Sequence, residues 1–98
     1  MATTRTTPYP NLADNLRGMD LRGVHLTGAN MAHADLRNTN LSGADLTGVN
    51  LAGANLAGAN LYNANLTGCN LNGADLRGVD LSHTNLTGAN MGSAIWKD

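Results

Sequence analysis

The sequence contains no phenylalanine and no glutamate, and its only aromatic residues are one tryptophan and two tyrosines among 98 residues. A core of mixed large side chains is excluded. The single cysteine, Cys69, rules out an internal disulfide, so the chain does not depend on an oxidising compartment, and a cytoplasmic location is expected. Charged residues make up 13%, against about a quarter in ordinary domains, and six Lys/Arg against seven Asp leave a net charge of -1. Such a balance projects no strong field, which argues against nucleic acid or a membrane surface as partner. No apolar run approaches the roughly 20 residues that span a bilayer, and the opening MATTRTTPYPNL lacks the apolar stretch of a signal peptide. At this length one domain is expected.

What is abundant is leucine, asparagine and glycine, arranged with a period of five. From Leu16 to Met91 every fifth residue is Leu, or Met at 31 and 91, giving 16 consecutive centres. The residue before each centre is Asn or Asp, with His25 the only departure. Two before it stands a small residue, mostly Ala or Val, with Thr39, Thr84 and Cys69 as variants, and only Asp14 and Met19 as exceptions. Eleven of the twelve glycines fall two residues after a centre.

A helix turns 100° per residue, so a step of five would smear the leucines around its whole circumference. A strand alternates faces with period two, so an odd step would throw successive leucines to opposite sides. The chain must instead wind around its own leucines. Each unit is then a short extended piece, with the centre and the small residue pointing inward, followed by a corner containing Gly. Asn and Asp suit bonding to the turn backbone and stacking between coils.

The residues just after the centres face outward and disclose the size of the coil. Compared four units apart, 5 of 12 pairs are identical, against 1 of 13 at three units and 1 of 11 at five. One coil is therefore 20 residues, and residues 14–93 supply four coils stacked over about 19 Å at the usual strand spacing. Residues 1–13 are read as a loose tail and cap, and 94–98 as a C-terminal cap or dimer contact.

Units such as ADLTG at 44, ANLAG at 54, ANLYN at 59 and ADLRG at 74 resemble those of the pentapeptide-repeat family. The resemblance covers about four-fifths of the chain. It implies an all-β fold, a right-handed quadrilateral β-solenoid with the centres inside. It also implies possible roles: several members of the family mimic duplex DNA and bind type II topoisomerases such as gyrase. That reading is the alternative here, because Asp20, Asp35, Asp45, Asp75 and Asp80 are offset by Arg17, Arg22, Arg37 and Arg77.

The outward columns map the candidate surfaces. Face one carries Arg17, Arg37, Ala57, Arg77 and Lys97, which Asp35 and Asp75 accompany, and is read as a solvated face. Face two carries Arg22, Ser42, Tyr62 and Ser82. Face three carries Thr27, Thr47, Thr67 and Thr87, each followed by Gly, a regular array that suits ordered water and makes ice binding a further alternative. Face four carries Ala32, Ala52, Asn72 and Gly92. His25, His33 and His83 fall on different faces and cannot share a metal. A packed solenoid is expected to offer no concavity, so no catalytic residue, metal or cofactor is assigned. Tyr62 and the threonine column are kept as candidate contacts.

At the C-terminal end the pattern breaks, with Ile95 in an Asn/Asp slot and Trp96 in a Leu slot. The floor of the last coil is expected to expose apolar side chains that Trp96 covers in part. With Ile95 it forms the candidate contact for a homodimer about a two-fold axis, as the family resemblance also implies. The function expected is a non-enzymatic interaction or scaffold module with a protein partner.

Overall fold

The computed structural model describes residues 15–96. Within them the backbone pairs in parallel with one register: Asn15 with Asp35, Asp20 with Asn40, and so on to Asp75 with Ile95, always 20 residues apart. This is the coil length expected from the outward columns. Coil 1 is residues 15–34, coil 2 residues 35–54, coil 3 residues 55–74 and coil 4 residues 75–94, and the ladder continues through Ile95. The expected tail and cap at 1–13, and Lys97 and Asp98, lie outside the described residues.

Each unit is one side of the coil. The carbonyl of a centre accepts a hydrogen bond from the amide three residues on, as in Val49 N to Leu46 O at 3.0 Å, which closes a four-residue turn. Its third residue has a φ between 66° and 77° at eleven glycines. A type II turn requires positive φ at that position, which explains why Gly recurs there. His33, Asn38 and Asn63 adopt the same conformation, with φ of 64°, 58° and 60°. The Asn or Asp before each centre accepts from the amide two residues on, for example Ala52 N to Asn50 Oδ1 at 3.0 Å and Thr67 N to Asn65 Oδ1 at 3.0 Å. This local bond is why the slot takes those two residue types.

Between coils, three main-chain bonds recur per unit: Leu46 N to Asn65 O at 2.8 Å, Gly48 N to Thr67 O at 2.8 Å, and Asn65 N to Ala44 O at 2.9 Å. Inside, Met31 and every centre from Leu36 to Leu76 are at most 1% exposed, with Ala and Val of the preceding slots beside them. Each such leucine contributes about 1.5–3 kcal/mol by burial. Where the small slot is polar, its hydrogen is used: Thr39 Oγ1 donates to the Leu36 carbonyl at 2.8 Å and Cys69 Sγ to the Leu46 carbonyl at 2.8 Å. The centres of the outer coils, Leu16, Leu21, Leu26, Leu81, Leu86 and Met91, are only partly buried, each having a neighbouring coil on one side alone among the described residues. Among the described residues no helix is long and apolar enough to cross a membrane.

Candidate functional site

The register brings the outward residues into the columns read from the sequence, and their bonding decides what each face offers. On face one, Arg37 and Arg77 fold back onto their own units, with Nη2 to Oδ2 distances of 2.7 Å to Asp35 and 2.6 Å to Asp75, and Arg17 lies 3.6 Å from Asp35. On face two, Arg22 grips Asp20 at 2.7 Å. Hydrogen bonds from Arg37 hold the Asp35 carboxyl down at about 2, and those from Arg77 and Arg22 lower Asp75 and Asp20. Charge on these faces is neutralised locally rather than laid out in rows.

Thr27, Thr47, Thr67 and Thr87 stand one above another on face three. Three of their hydroxyls are already engaged: Thr47 Oγ1 donates to Asp45, Thr67 Oγ1 to Asn65 and Thr87 Oγ1 to Asn85, at 2.7, 2.5 and 2.7 Å. The column can accept hydrogen bonds in register, but these donors point into their own turns. Cys69 is buried, and burial pushes its thiol up to about 11, so it is a packing residue and not a nucleophile. Among the described residues no three His, Cys, Asp or Glu side chains gather as metal ligands. At the C-terminal end, Ile95 and Trp96 are 45% and 47% exposed, beside the partly buried Leu81, Leu86, Met91 and Ala94.

One feature departs from expectation. A hollow of about 390 Å³ opens on face two between coils 3 and 4, lined by residues 58–62 on one side and by Gly78 and Asp80 on the other. The solenoid therefore has a concavity. Its cause is a local break in the ladder. Asn60 pairs with Asn40 above but not with Asp80 below, and neither the bond from Leu61 N to Asp80 O nor that from Asp80 N to Ala59 O is made. Asn63 N bonds His83 O at 2.8 Å, one residue past the Ser82 carbonyl that the register would supply.

The turn at 81–84 explains the slip. Its third residue, His83, is not among the residues with positive φ, so the turn is not type II. The two common turn types differ by a flip of the central peptide, which here is the Ser82–His83 peptide. The flip turns the Ser82 carbonyl away from the ladder. Two contacts hold the alternative: the His83 ring packs on Tyr62, centroids 4.9 Å apart, and Thr84 Oγ1 donates to the Leu61 carbonyl at 2.9 Å. Tyr62, singled out from the sequence as an exposed aromatic, is 51% exposed and stands at this seam. Asp80 was noted in the sequence only as part of the charge balance. The absence of Gly at position 83 was the available signal for the hollow.

Comparison with known proteins accords with this architecture. A family profile of pentapeptide repeats, eight copies long, matches residues 15–43, 44–82 and 54–92. The chain belongs to the pentapeptide-repeat family, whose fold is the right-handed quadrilateral β-helix. Among solved structures it is similar to the pentapeptide repeat protein Rfr23 from the cyanobacterium Cyanothece 51142, with 42% identity and a TM-score of 0.50 over 84% of this chain. The chain spans 60% of the length of that protein. It is also similar to alr5209, a pentapeptide repeat protein from Nostoc Pcc 7120, with 27% identity and a TM-score of 0.51 over 95% of this chain and 90% of the other. A search of curated proteins gives no match. Proteins of this family are generally structural or interaction modules rather than enzymes.

Proposed function

We propose that the protein is a non-enzymatic interaction or scaffold module of the cytoplasm that engages a protein partner through its flat faces and pairs with a second copy at its C-terminal end. The observation that carries the reading is the regularity of the faces: outward residues recur every 20 positions on a hydrogen-bonded ladder, and their charges are paired within the faces. A surface of this kind is preorganised, so binding to it orders little. The cytoplasmic location is supported by the single buried thiol, which needs no oxidising compartment.

The dimer is supported by what the last coil presents. Ile95 and Trp96 are half exposed, the apolar floor around Leu86 and Met91 is only partly covered, and the main chain of coil 4 has no further coil to pair with among the described residues. A second copy meeting this end about a two-fold axis would bury all three. Light scattering tests it: a species of about 20 kDa is expected, twice the 10.1 kDa chain, falling to the monomer in Ile95→Asp. A 10.1 kDa species at high concentration would overturn the dimer.

Gyrase binding by DNA mimicry has little to stand on, because three of the acidic side chains that would imitate phosphates are gripped by arginines of their own units. A supercoiling assay with gyrase is expected to show no inhibition. Ice binding is weighed down by the engaged threonine hydroxyls, and no thermal hysteresis is expected.

A further inference from the structure

The hollow between coils 3 and 4 brings together four kinds of group found side by side nowhere else among the described residues. The first is unpaired main chain: Leu61 N–H, Ala59 C=O and both groups of Asp80 have no main-chain partner among the described residues. Of these, the Ala59 and Asp80 carbonyls are free acceptors for an incoming donor, while the two N–H groups are left to water. The second is a carboxylate without an ion pair. Asp20, Asp35 and Asp75 are each held by an arginine two residues on, but Asp80 is followed at that spacing by Ser82, and among the described residues no cation lies within ion-pair distance of it. The third is the half-exposed ring of Tyr62, fixed by the His83 ring against it. The fourth is space, since about 390 Å³ lies near the lower bound of small-ligand pockets, about 300 Å³.

We propose that this hollow is a binding subsite for the guanidinium of an arginine side chain presented by a partner protein. The group must be cationic to answer Asp80, must donate in more than one direction to reach both that carboxylate and the free Ala59 carbonyl, and must be flat to lie on Tyr62. Guanidinium meets all three demands, while an ammonium is a strongly hydrated point charge with no plane to stack. The partly opened seam admits it because the His83 turn holds coil 4 out of register at this corner and nowhere else on face two.

The proposal rests on the reading of the protein as an interaction module but is tested without any partner. Acetyl-arginine amide is titrated into the 15N-labelled protein, with acetyl-citrulline amide, its neutral analogue, as the control. Saturable shifts are expected in the amide signals of Leu61, Tyr62, Gly78 and Asp80 with the arginine probe alone. Asp80→Asn keeps the side-chain oxygen that the Ser82 amide uses, so it preserves the fold, and it is expected to weaken the probe about tenfold. His83→Gly, which lets the turn become type II and the seam close, is expected to abolish binding while leaving Asp80 and Tyr62 in place. Absence of saturable shifts, equal shifts with citrulline, or unchanged affinity in Asp80→Asn would each overturn the subsite. Capture of a partner protein on the other faces would then still stand or fall separately.

Discussion

Face two meets itself at the seam between coils 2 and 3 and again at the seam between coils 3 and 4, and similar residues build two different contacts. In the first, Asn40, Leu41, Ser42 and Gly43 lie over Asn60, Leu61, Tyr62 and Asn63, and the ladder is complete: Leu41 N to Asn60 O and Gly43 N to Tyr62 O are both 2.8 Å, and Asn60 N to Thr39 O is 2.9 Å. In the second, the same residues of coil 3 lie over Asp80, Leu81, Ser82 and His83, the pairing of Asn60 with Asp80 is lost and a hollow opens. Coil 3 is common to both seams, below in the first and above in the second, and the turn on the lower side differs between them. Asn63 in coil 3 takes the left-handed conformation that the turn needs, and His83 in coil 4 does not.

A second position behaves in the same way. Ser93, also in the third place of its turn, has no positive φ, and the bond from Gly73 N to Gly92 O that the register calls for is not made. The left-handed conformation costs a residue bearing a Cβ about 1–2 kcal/mol, comparable with one hydrogen bond, so a modest competing contact decides the outcome. At 83 that contact is the Tyr62 ring together with the Thr84 hydroxyl.

The largest effect that separates the seams is expected from their leucines. Leu41 is fully buried, and Leu41→Ala should destabilise the protein by about 2–5 kcal/mol, whereas Leu81→Ala, at a partly buried site of the outer coil, should cost markedly less. Denaturant melts of the two variants settle this, and equal losses would break the comparison. Next comes the turn itself. Gly43 has φ of 69° and open space where a Cβ would lie, so Gly43→Ala isolates the conformational cost, about 1–2 kcal/mol, while His83→Gly should be neutral or stabilising in the same melts.

Acid should act on the seams unequally as well. The Asp35 carboxyl, held down at about 2 by Arg37, lies below the unfolded value of about 3.9, so its contribution is complete above the unfolded value. It is lost as the pH falls through the range between them toward 2, and Asp35→Asn should flatten that part of the stability profile. The smallest effect is chemical. With its thiol pushed up to about 11 and bonded to Leu46 O, Cys69 should resist thiol reagents at neutral pH in the native protein and react only after unfolding.

Most of the solenoid was legible in the sequence because a five-residue period leaves no other way to bury the leucines, and because the outward residues repeat every 20. The incomplete burial of Leu86 was implicit in stacking, where the last coil has one neighbour among the described residues. The hollow was not legible. Five units lack Gly at the turn position, namely those with His33, Asn38, Asn63, His83 and Ser93, and three of them adopt the left-handed conformation all the same. His33 and His83 are the same residue type with opposite outcomes, and His83 makes a contact across coils, with Tyr62, that only the register reveals.

Native-state hydrogen exchange at single amides tests the central claim, that one turn residue opens the seam. Leu41 and Leu61 are equivalent centres on one face, both buried, and differ in that Leu41 N–H bonds Asn60 O while Leu61 N–H has no main-chain partner. Leu61 should exchange far faster than Leu41 in the native protein, and in His83→Gly it should slow to match. Equal protection of the two amides in the unaltered protein would contradict the account.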